Sequence, residues 1–368
     1  MLLKKSRPDY ITCLVVLILV AFGIIMVFSA SQYFAQQPPY EDSAYFLKKQ
    51  LLSAVLGIVG MFFLMGVSYR KYRYLAWPAL FVGLAMIALV LISGFGDESG
   101  GAIRWINLGF LRFQPSELMK LALVLFLAKS LSDRQDKLKS FWKGFVPYML
   151  LLGIICFLVA LEDLGTAIVI GGTTIIMLFC AGNKVRHLSL LVVFGIIFVV
   201  WAVIDEPYRL QRILTILDPW SDPQGSGYQT IQSLLALGSG GLTGVGLGAG
   251  GAKWYYLPER HTDFIFAIIG EELGLLGAVF LVVLFMMFTW RGLDIAWHTK
   301  DSFGSYLALG LTMMISLQAL VNLAVVVGLL PVTGITLPFI SYGGSSLVVS
   351  LWAIGLLLNI SRYAELSG

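Results

Sequence analysis

Charge is scarce in this chain of 368 residues, of which 12% are charged and 58% are hydrophobic. Soluble globular domains average about 25% charged residues, so the sequence lacks the charge that a soluble surface requires. The formal net charge of +4 is small for a chain of this length, and we expect no nucleic-acid partner. The scarcity of charge excludes a soluble globular protein and indicates an integral membrane protein.

Cysteine and histidine are equally rare, with three residues of each. Cys13, Cys156 and Cys180 all lie within apolar runs, which argues against disulfide bonds and against a metal cluster. The sequence also lacks an HExxH motif, a nucleophile elbow and a P-loop. These absences exclude the zinc-protease, serine-hydrolase and P-loop signatures as the source of any activity.

Long apolar runs are abundant, by contrast. Each covers about 17 to 25 residues, the length that a helix rising 1.5 Å per residue needs to cross roughly 30 Å of hydrocarbon. The first run follows basic residues, as in a signal peptide, but it is too long for one, so we expect a retained span. The pattern predicts an all-α integral membrane protein with one polytopic domain over residues 1–368. The ten predicted spans are residues 11–30, 51–68, 75–94, 116–132, 145–161, 164–182, 188–204, 264–290, 303–327 and 344–361.

The distribution of Lys and Arg among the connections predicts the orientation of these spans. With the N-terminus inside, most basic residues fall in inner segments, so both termini should be cytoplasmic. Residues 205–263 then form one large extracytoplasmic loop before the eighth helix. A loop of this length is uncommon unless it is functional, and we expect its segment YQTIQSLLALG to form an interfacial or re-entrant helix.

Several ionisable residues lie within or beside the predicted spans, where a charge costs at least about 2.5 to 3.5 kcal/mol and marks a functional candidate. Glu117 and Lys120 stand three residues apart in the fourth span, so they form either a structural ion pair or part of a functional site. Asp163, in the connection before the sixth span, is either solvated or functional. Glu271 and Glu272 lie about two turns into the eighth span, where at least one should face protein or water.

Two pairs of arginines stand out on the predicted outer side, against the orientation bias. Arg104 and Arg112 belong to GAIRWINLGFLRFQPSE, and Arg209 and Arg212 belong to YRLQRILTILDPWSDPQGSGYQ. The guanidinium fork suits phosphate oxygens, so these arginines suggest an outward-facing anionic ligand. The alternative is that they form salt bridges with neighbouring loop acids.

Uncharged polar residues gather near the last outer loop, PVTGITLPFISYGGSS, which contains Ser341. Gln318 and Asn322 lie four residues apart in the span before it. Such groups either line a sugar or headgroup site or merely join helices. The glycine-rich segment at residues 238–251 does not follow a strand of a βαβ unit, so its glycines more simply permit tight turns or close approach of a ligand.

Asp263 ends the large outer loop and directly precedes the eighth apolar run. Because no other catalytic signature is present, Asp263 is the strongest candidate for an acid or base in outward-facing chemistry, with His261 close in sequence.

Five long motifs then follow one another along the chain: GAIRWINLGFLRFQPSELMKLA, DLGTA, LDPWSDPQGSGYQTIQSLLALGSGGLTGVGLG, YLPERHTDFIFAIIGEELGLLG and GLLPVTGITLPFISYGGSS. Together they resemble the SEDS family (shape, elongation, division and sporulation), and the resemblance spans essentially the whole chain. The fourth motif with the preceding GVGLG is more similar to the FtsW and SpoVE types than to the RodA type.

The resemblance implies a ten-span peptidoglycan glycosyltransferase that polymerises lipid II on the outer face of the bacterial cytoplasmic membrane. It also implies a class B penicillin-binding protein, a transpeptidase, as partner, together with other membrane proteins of division or sporulation. The catalytic aspartate of the family falls on Asp263, and the family's buried acid and lysine fall on Glu117 and Lys120. Where many members have Gln-Pro-Asp before LGTA, this chain keeps only the aspartate, Asp163.

This chemistry yields a specific hypothesis. Lipid II carries an α-linked sugar diphosphate and the product bond is β-1,4, so the reaction inverts the donor carbon. Asp263 is predicted to act as general base for the acceptor 4-hydroxyl, a role typically worth about 10² to 10⁴-fold. Diphosphate binding is predicted for Arg104, Arg112, Arg209 and Arg212, and a divalent cation (Mg or Mn) could assist, although no ligand set stands out.

Two rival functions belong to other classes. In a lipid flippase or transporter, Glu117, Lys120 and Asp163 would form a polar path and Asp263 would act as a gate; the absence of a visible internal repeat counts against repeat-built transporter folds. The other rival is a noncatalytic scaffold of a division complex. Within the family, a RodA-type elongation polymerase is the alternative to the FtsW or SpoVE type.

Overall fold

The computed structural model describes residues 7–93, 96–99, 102–107, 112–161, 163–205, 207–254 and 257–365. These residues form twelve α-helices and three short β-strands. The helices are α1 (Tyr10–Ala35), α2 (Tyr45–Gly66), α3 (Tyr69–Ser93), α4 (Pro115–Asp133), α5 (Val146–Ala160), α6 (Leu164–Cys180), α7 (Val185–Ile204), α8 (Pro207–Leu217), α9 (Tyr228–Ser239), α10 (Ile265–His298), α11 (Ser302–Val326) and α12 (Gly344–Ser361). The strands are β1 (Gly96–Ser99), β2 (Ala102–Asn107) and β3 (Arg112–Phe113).

All ten predicted spans are helical, so the prediction of an all-α membrane protein is confirmed. Eight helices of the described chain are long and apolar enough to cross a membrane. The other two are α6, with 17 residues, and α4, which carries Glu117 and Lys120. A helix of 17 residues extends about 26 Å, slightly less than the hydrocarbon thickness. The number of ten spans therefore stays a prediction.

Three of these helices extend beyond their predicted bounds by about two turns each. α2 and α3 each begin six residues earlier than residues 51 and 75, and α10 ends at His298 rather than at residue 290. The additional turns contain charged residues that an apolar window leaves out, such as Lys48, Arg70 and Arg291. Such turns lie where water or headgroups solvate the charge, so hydropathy alone shortens a helix that continues beyond the hydrocarbon.

One end of the bundle brings both ends of the chain together. The Asp9 backbone N–H donates to Ser361 Oγ at 2.9 Å, and Arg291 Nη2 lies 2.6 Å from Asp9 Oδ1. Lys300 Nζ lies 2.6 Å from Glu365 Oε1 at the same end. The predicted inner connections thus meet at one face, in agreement with the prediction that both termini are cytoplasmic.

The predicted outer connections meet at the opposite face. Gln50 Nε2, near the start of α2, donates to the Ser341 carbonyl at 3.1 Å. The Gln114 N–H before α4 donates to Ser345 Oγ at 3.3 Å. α12 runs between the two faces as the most deeply buried helix, with 89% of its residues buried. Its outer end therefore anchors several outer connections.

The large outer loop contains two helices. α9 covers YQTIQSLLALGS, which confirms the helix predicted in this segment, while α8 precedes it without having been predicted. The small antiparallel sheet β1-β2-β3, in which Ile106 pairs with Phe113, was also not predicted. Its strands are only two to six residues long, too short for a recognisable alternating pattern.

α10 is broken at Gly274, whose backbone has φ 65° and ψ −165°. The glycine-rich segment packs against this break and satisfies the backbone groups that the break exposes. Four backbone hydrogen bonds of 2.9–3.1 Å do this: Val245 N–H to the Glu271 carbonyl, Gly246 N–H to the Glu272 carbonyl, Leu275 N–H to the Gly241 carbonyl, and Leu276 N–H to the Leu242 carbonyl. A Cβ on Gly244 would overlap the Glu272 carbonyl oxygen. The glycines thus permit close approach between backbones, which is why a break in an apolar helix is tolerated here.

Candidate active site

Asp263 lies at the outer face, two residues before α10 begins at Ile265, and its side chain is half-buried. The turn before it starts at Glu259, which has the positive φ of 51°. Within this turn the Thr262 and Phe264 N–H groups both donate to the Glu259 carbonyl at 3.2 Å, and Thr262 Oγ1 donates to Glu259 Oε2 at 2.6 Å. The turn therefore gives the segment that carries Asp263 a defined local conformation.

Three successive backbone carbonyls hold this segment in place. The His261 carbonyl accepts from the Tyr342 N–H at 2.8 Å, and the Thr262 carbonyl accepts from Ser341 Oγ at 2.5 Å. The Asp263 carbonyl accepts from Asn322 Nδ2 at 2.8 Å. All three bonds use backbone oxygens, so they hold the segment that carries Asp263 through its backbone.

Two side chains of α11, Asn322 and Gln318, hold the last outer loop, which in the structure covers residues 327–343. Asn322 Nδ2 also donates to the Ile335 carbonyl at 2.7 Å, and Gln318 Nε2 donates to the Thr336 carbonyl at 3.0 Å. The Ser341 hydroxyl accepts the Leu337 N–H at 2.8 Å. In the structure Asn322 and Ser341 join the loop to the Asp263 segment, and Gln318 joins the loop to α11. The substrate-binding role predicted for these three residues stays a prediction.

Glu117 and Lys120 extend this network into α4. Lys120 Nζ lies 2.9 Å from Glu117 Oε1 and 2.5 Å from Gln318 Oε1. All three side chains are buried, with exposed fractions of 3–4%. The geometry favours the structural ion pair of the two alternatives, because the pair orients the Gln318 amide that binds the last outer loop.

His261 lies in a cluster of aromatic rings. Its ring centroid is 4.6 Å from that of Phe46, 5.7 Å from that of Tyr342 and 5.9 Å from that of Phe34. Burial, reinforced by the charge of Arg260, lowers the pKa of His261 to about 4. The imidazole is therefore neutral at pH 7, and it supplies shape and packing beside Asp263 rather than a positive charge for a diphosphate.

Arg112 belongs to β3, shortly before α4, and its side chain is exposed. Burial and the neighbouring Tyr45 and Tyr40 raise the pKa of Tyr342 to about 12, and the Arg112 charge acts in the opposite direction. Arg112 is thus close enough to act on Tyr342, whose N–H holds the His261 carbonyl. This places an exposed guanidinium on the same side of the molecule as Asp263.

The other predicted arginines have different surroundings. Arg209 donates to the Ala202 and Ala160 carbonyls at 3.1 and 3.2 Å, at the ends of α7 and α5. Arg212 donates to the Val332 carbonyl at 3.0 Å. These contacts with backbone carbonyls support helix ends and the last outer loop. The predicted diphosphate binding by Arg209 and Arg212 and its salt-bridge alternative both stay predictions. Arg104 belongs to β2, and its side chain lies outside the described part of the structure.

Asp163 caps the N-terminus of α6. Its carboxylate accepts the Thr166 N–H at 2.9 Å and Thr166 Oγ1 at 2.7 Å, and Gln114 Nε2 lies 3.5 Å away. Its exposed fraction is 4%. This is the usual arrangement of an N-cap aspartate, so the carboxylate is buried rather than solvated, and the substrate-binding role predicted for Asp163 stays a prediction.

Comparison with known proteins gives this site a context. The family described as a cell cycle protein, FtsW/RodA/SpoVE, matches residues 9–366 of the chain. The chain belongs to the FtsW/RodA/SpoVE family. It is 47% identical to stage V sporulation protein E of Bacillus subtilis over 98% of this chain and 99% of that protein. It is 46% identical to the probable peptidoglycan glycosyltransferase FtsW of Geobacter metallireducens over 97% of this chain and 95% of that protein.

Two solved structures of the family share the fold. A chain from a peptidoglycan synthase complex, described as coordinating polymerization and crosslinking, superposes with a TM-score of 0.79 at 35% identity, covering 96% of this chain and 98% of that one. The rod shape determining protein RodA of Thermus thermophilus superposes with a TM-score of 0.72 at 32% identity, covering 98% of each chain. The predicted resemblance, the multi-pass membrane fold and the location in a bacterial cytoplasmic membrane are thereby confirmed.

The predicted divalent cation would need a set of ligands on the protein or on the substrate. Among the residues that the structure describes, no three His, Cys, Asp or Glu side chains gather closely enough to hold a metal ion. The described residues around Asp263 thus offer no such ligand set, and the divalent cation stays a prediction.

Sequence reasoning also misses one buried cation, Lys253, which belongs to the predicted outer loop. In the structure its exposed fraction is 1%, and it pairs with Glu272. The available signal is a lysine just after the glycine-rich segment, ten residues before Asp263, followed by two acids in an apolar run.

Proposed function

We propose that this protein is a peptidoglycan glycosyltransferase that polymerises lipid II into β-1,4 glycan strands at the outer face of the membrane. The observation that carries the proposal is the Asp263 segment, whose three successive carbonyls are held by Tyr342, Ser341 and Asn322. A base must keep a fixed position relative to the hydroxyl that it deprotonates, and this arrangement provides that fixity. The similarity to relatives named as probable peptidoglycan glycosyltransferases FtsW supports the same activity.

The reaction that we propose forms one bond and breaks one. The acceptor 4-hydroxyl oxygen attacks the donor anomeric carbon, and the bond from that carbon to the diphosphate oxygen breaks. The diphosphate leaves with the electron pair, and Asp263 takes the hydroxyl proton. Attack opposite the leaving group converts the α linkage of the donor into the β linkage of the product, so no covalent sugar–enzyme intermediate is required.

Arg112 is the described arginine best placed to stabilise a diphosphate. It is exposed and close to the aromatic cluster that adjoins Asp263. Its fork can donate two hydrogen bonds to phosphate oxygens as negative charge develops on the leaving group. Arg104, nearby in the same sheet, is proposed to share this role, whereas Arg209 and Arg212 act through the backbone carbonyls that they bind.

The proposed partner is a class B penicillin-binding protein, a transpeptidase that crosslinks the strands, along with other division or sporulation membrane proteins. The similarity to a chain of a synthase complex that couples polymerization to crosslinking supports this partner. Identities of 47% and 46% with sporulation and division relatives, against 32% with a RodA structure, favour a division or sporulation role over an elongation role.

The direct test is polymerisation of purified lipid II by the chain in detergent, with and without its cognate transpeptidase, followed by electrophoresis of the glycan strands. We expect strands that increase in amount when the partner is present. A companion assay in sealed vesicles measures transfer of labelled lipid II between leaflets. Transfer of lipid II without strand formation would contradict this proposal and support a transporter. Absence of both activities would support a noncatalytic scaffold.

The predicted divalent cation requires its own assay because the described residues offer no ligand set. Since diphosphates bind Mg²⁺ and Mn²⁺, we propose that any cation enters with the substrate. Polymerisation in excess chelator, with Mg²⁺ then restored, decides the point: full activity in chelator would eliminate the cation.

A further inference from the structure

A buried charged cluster lies next to the break in α10, outside the residues assigned to the reaction. It consists of Ser29, Lys253, Glu271 and Glu272, which we call the Lys253 cluster. The exposed fractions of Lys253, Glu271 and Glu272 are 1%, 5% and 0%. Buried ions of this kind are costly, and a well-packed apolar substitute often folds as stably, so stability alone does not explain them.

Glu272 is the centre of the Lys253 cluster. Its carboxylate accepts from Lys253 Nζ at 2.9 Å and from Ser29 Oγ at 2.6 and 2.8 Å. Lys253 Nζ also donates to the Gly248 carbonyl at 2.5 Å. One carboxylate thus joins α10 both to α1 and to the glycine-rich segment.

Glu271 binds the neighbouring backbone of the same segment. Its Oε1 accepts from the Gly251 N–H at 2.6 Å and from the Ala252 N–H at 3.1 Å. Together with the pairing of Lys253, these bonds hold residues 248–253 against the first two turns of α10. The chain between Lys253 and α10 contains Asp263, so the Lys253–Glu272 pair closes a loop around the proposed base.

The outer end of α1 contacts this loop at two further points. The Tyr33 and Trp254 ring centroids are 4.3 Å apart, and the Phe34 ring lies 5.9 Å from that of His261. With Ser29, these residues form one contact surface of α1. The Asp263 segment is therefore held by α1 as well as by Asn322 and the last outer loop.

We infer that Lys253 and Glu272 are positioning residues for the polymerisation reaction: their buried ion pair fixes the loop that carries Asp263 against α1. This inference rests on the proposed function of Asp263. Loss of the pair displaces the base without removing any group that binds lipid II, so it lowers kcat while leaving KM close to that of the wild type. Displacement by about 1 Å is enough to lower a rate by up to 10²-fold.

The chain provides a matched control on the same two helices. Asp9 and Arg291 join α1 to α10 at the inner end, with 2.6 Å between Oδ1 and Nη2. A purely structural role for the Lys253 cluster predicts that disrupting either pair has the same consequence. A positioning role predicts a loss of kcat only at the outer pair.

The experiment compares two double variants, each purified with the cognate transpeptidase. Lys253→Met with Glu272→Gln removes both outer charges together, which avoids leaving one buried ion unpaired. We expect kcat to fall at least tenfold, with KM for lipid II within about twofold of wild type. Asp9→Asn with Arg291→Met should keep the wild-type kcat. A folded outer variant with wild-type kcat, or an equal loss of kcat in both variants, would overturn the inference.

Ser29 gives a second test that leaves every charge in place. Ser29→Ala removes the hydroxyl that donates to Glu272, and Ser29→Thr retains it. We expect a severalfold loss of kcat for the alanine variant and recovery for the threonine variant; equal kcat in both would contradict the inference. If the wild type forms strands and Asp263→Asn does not, the proposed function stands. A failed test of Lys253, Glu272 or Ser29 then counts against this inference alone.

Discussion

Replacing Asn322 by leucine should separate the position of Asp263 from its chemistry. The Asn322 side chain is buried, with an exposed fraction of 1%, and leucine has nearly the same size. The substitution removes two hydrogen bonds, those from Nδ2 to the Asp263 carbonyl at 2.8 Å and to the Ile335 carbonyl at 2.7 Å. The substitution keeps the Asp263 carboxylate but removes a hydrogen bond that holds the Asp263 backbone.

The expected magnitude follows from those two bonds. Each buried carbonyl that loses its donor costs about 1–3 kcal/mol, so the free energy of unfolding should fall by about 2–6 kcal/mol. The displaced base should lower kcat by about 10²-fold, because a shift of about 1 Å costs that much. KM for lipid II should stay close to the wild-type value, since the exposed Arg112 is unchanged.

Asn359→Leu is the matched control for this variant. Asn359 is also fully buried and also makes two backbone hydrogen bonds, donating to the Met65 carbonyl at 2.6 Å and accepting the Tyr69 N–H at 2.7 Å. It lies at the inner end of α12, away from Asp263. Thermal unfolding in detergent and initial rates of lipid II polymerisation should show similar stability losses but a rate loss only for Asn322→Leu. Equal kcat in the two variants would refute the reasoning.

Three further predictions concern stability. Gly274→Ala should cost at least about 1–3 kcal/mol in thermal unfolding, because φ is 65° and the new Cβ would overlap the Gly244 backbone nitrogen; an unchanged melting temperature would contradict the described break. Either Glu117→Gln or Lys120→Met should cost about 3–5 kcal/mol, and the double variant should recover much of it, as a double-mutant cycle measures. The His261 pKa of about 4 lies below the usual 6.5, so the unfolded chain takes up a proton first and the fold loses stability as pH falls from 6.5 to 4. His261→Phe should reduce this loss, and unchanged pH dependence would argue against a buried neutral imidazole.

The spans could be predicted because hydrocarbon imposes a simple requirement on sequence. Every backbone group must be satisfied within the membrane, so uninterrupted apolar runs have to be helical. The break in α10 escaped this reasoning, because Gly274 looks like an ordinary small residue in an apolar run. Its consequence appears only when the glycine-rich segment, some thirty residues earlier, meets the exposed carbonyls.

The candidate base was predictable, whereas its surroundings were less so. Asp263 could be identified from its place between a long polar loop and an apolar run, together with family motifs. The amides of Gln318 and Asn322 were identified as important, but an amide binds a sugar hydroxyl and a backbone carbonyl equally well. Only the tertiary arrangement shows that these amides donate to carbonyls of the last outer loop and of the Asp263 segment.

Burial of individual charges was the least predictable feature. Arg209, Arg212 and Lys253 all belong to an outer loop, where solvation or ligand binding is the simplest expectation. In the structure their donors bind backbone carbonyls or the buried Glu272, because α8 and the glycine-rich segment fold back onto the bundle. A loop that packs in this way changes the role of its charges, and a single sequence does not reveal such packing.

The most direct test of the central claim is the rate of glycan-strand formation by Asp263→Asn, purified with its transpeptidase and supplied with lipid II in detergent. Asparagine keeps the shape of aspartate and the backbone hydrogen bond to Asn322, so the variant should fold and bind its partner with a melting temperature close to that of the wild type. The account predicts that this folded complex loses strand formation by at least about 10²-fold. Polymerisation at the wild-type rate would contradict it.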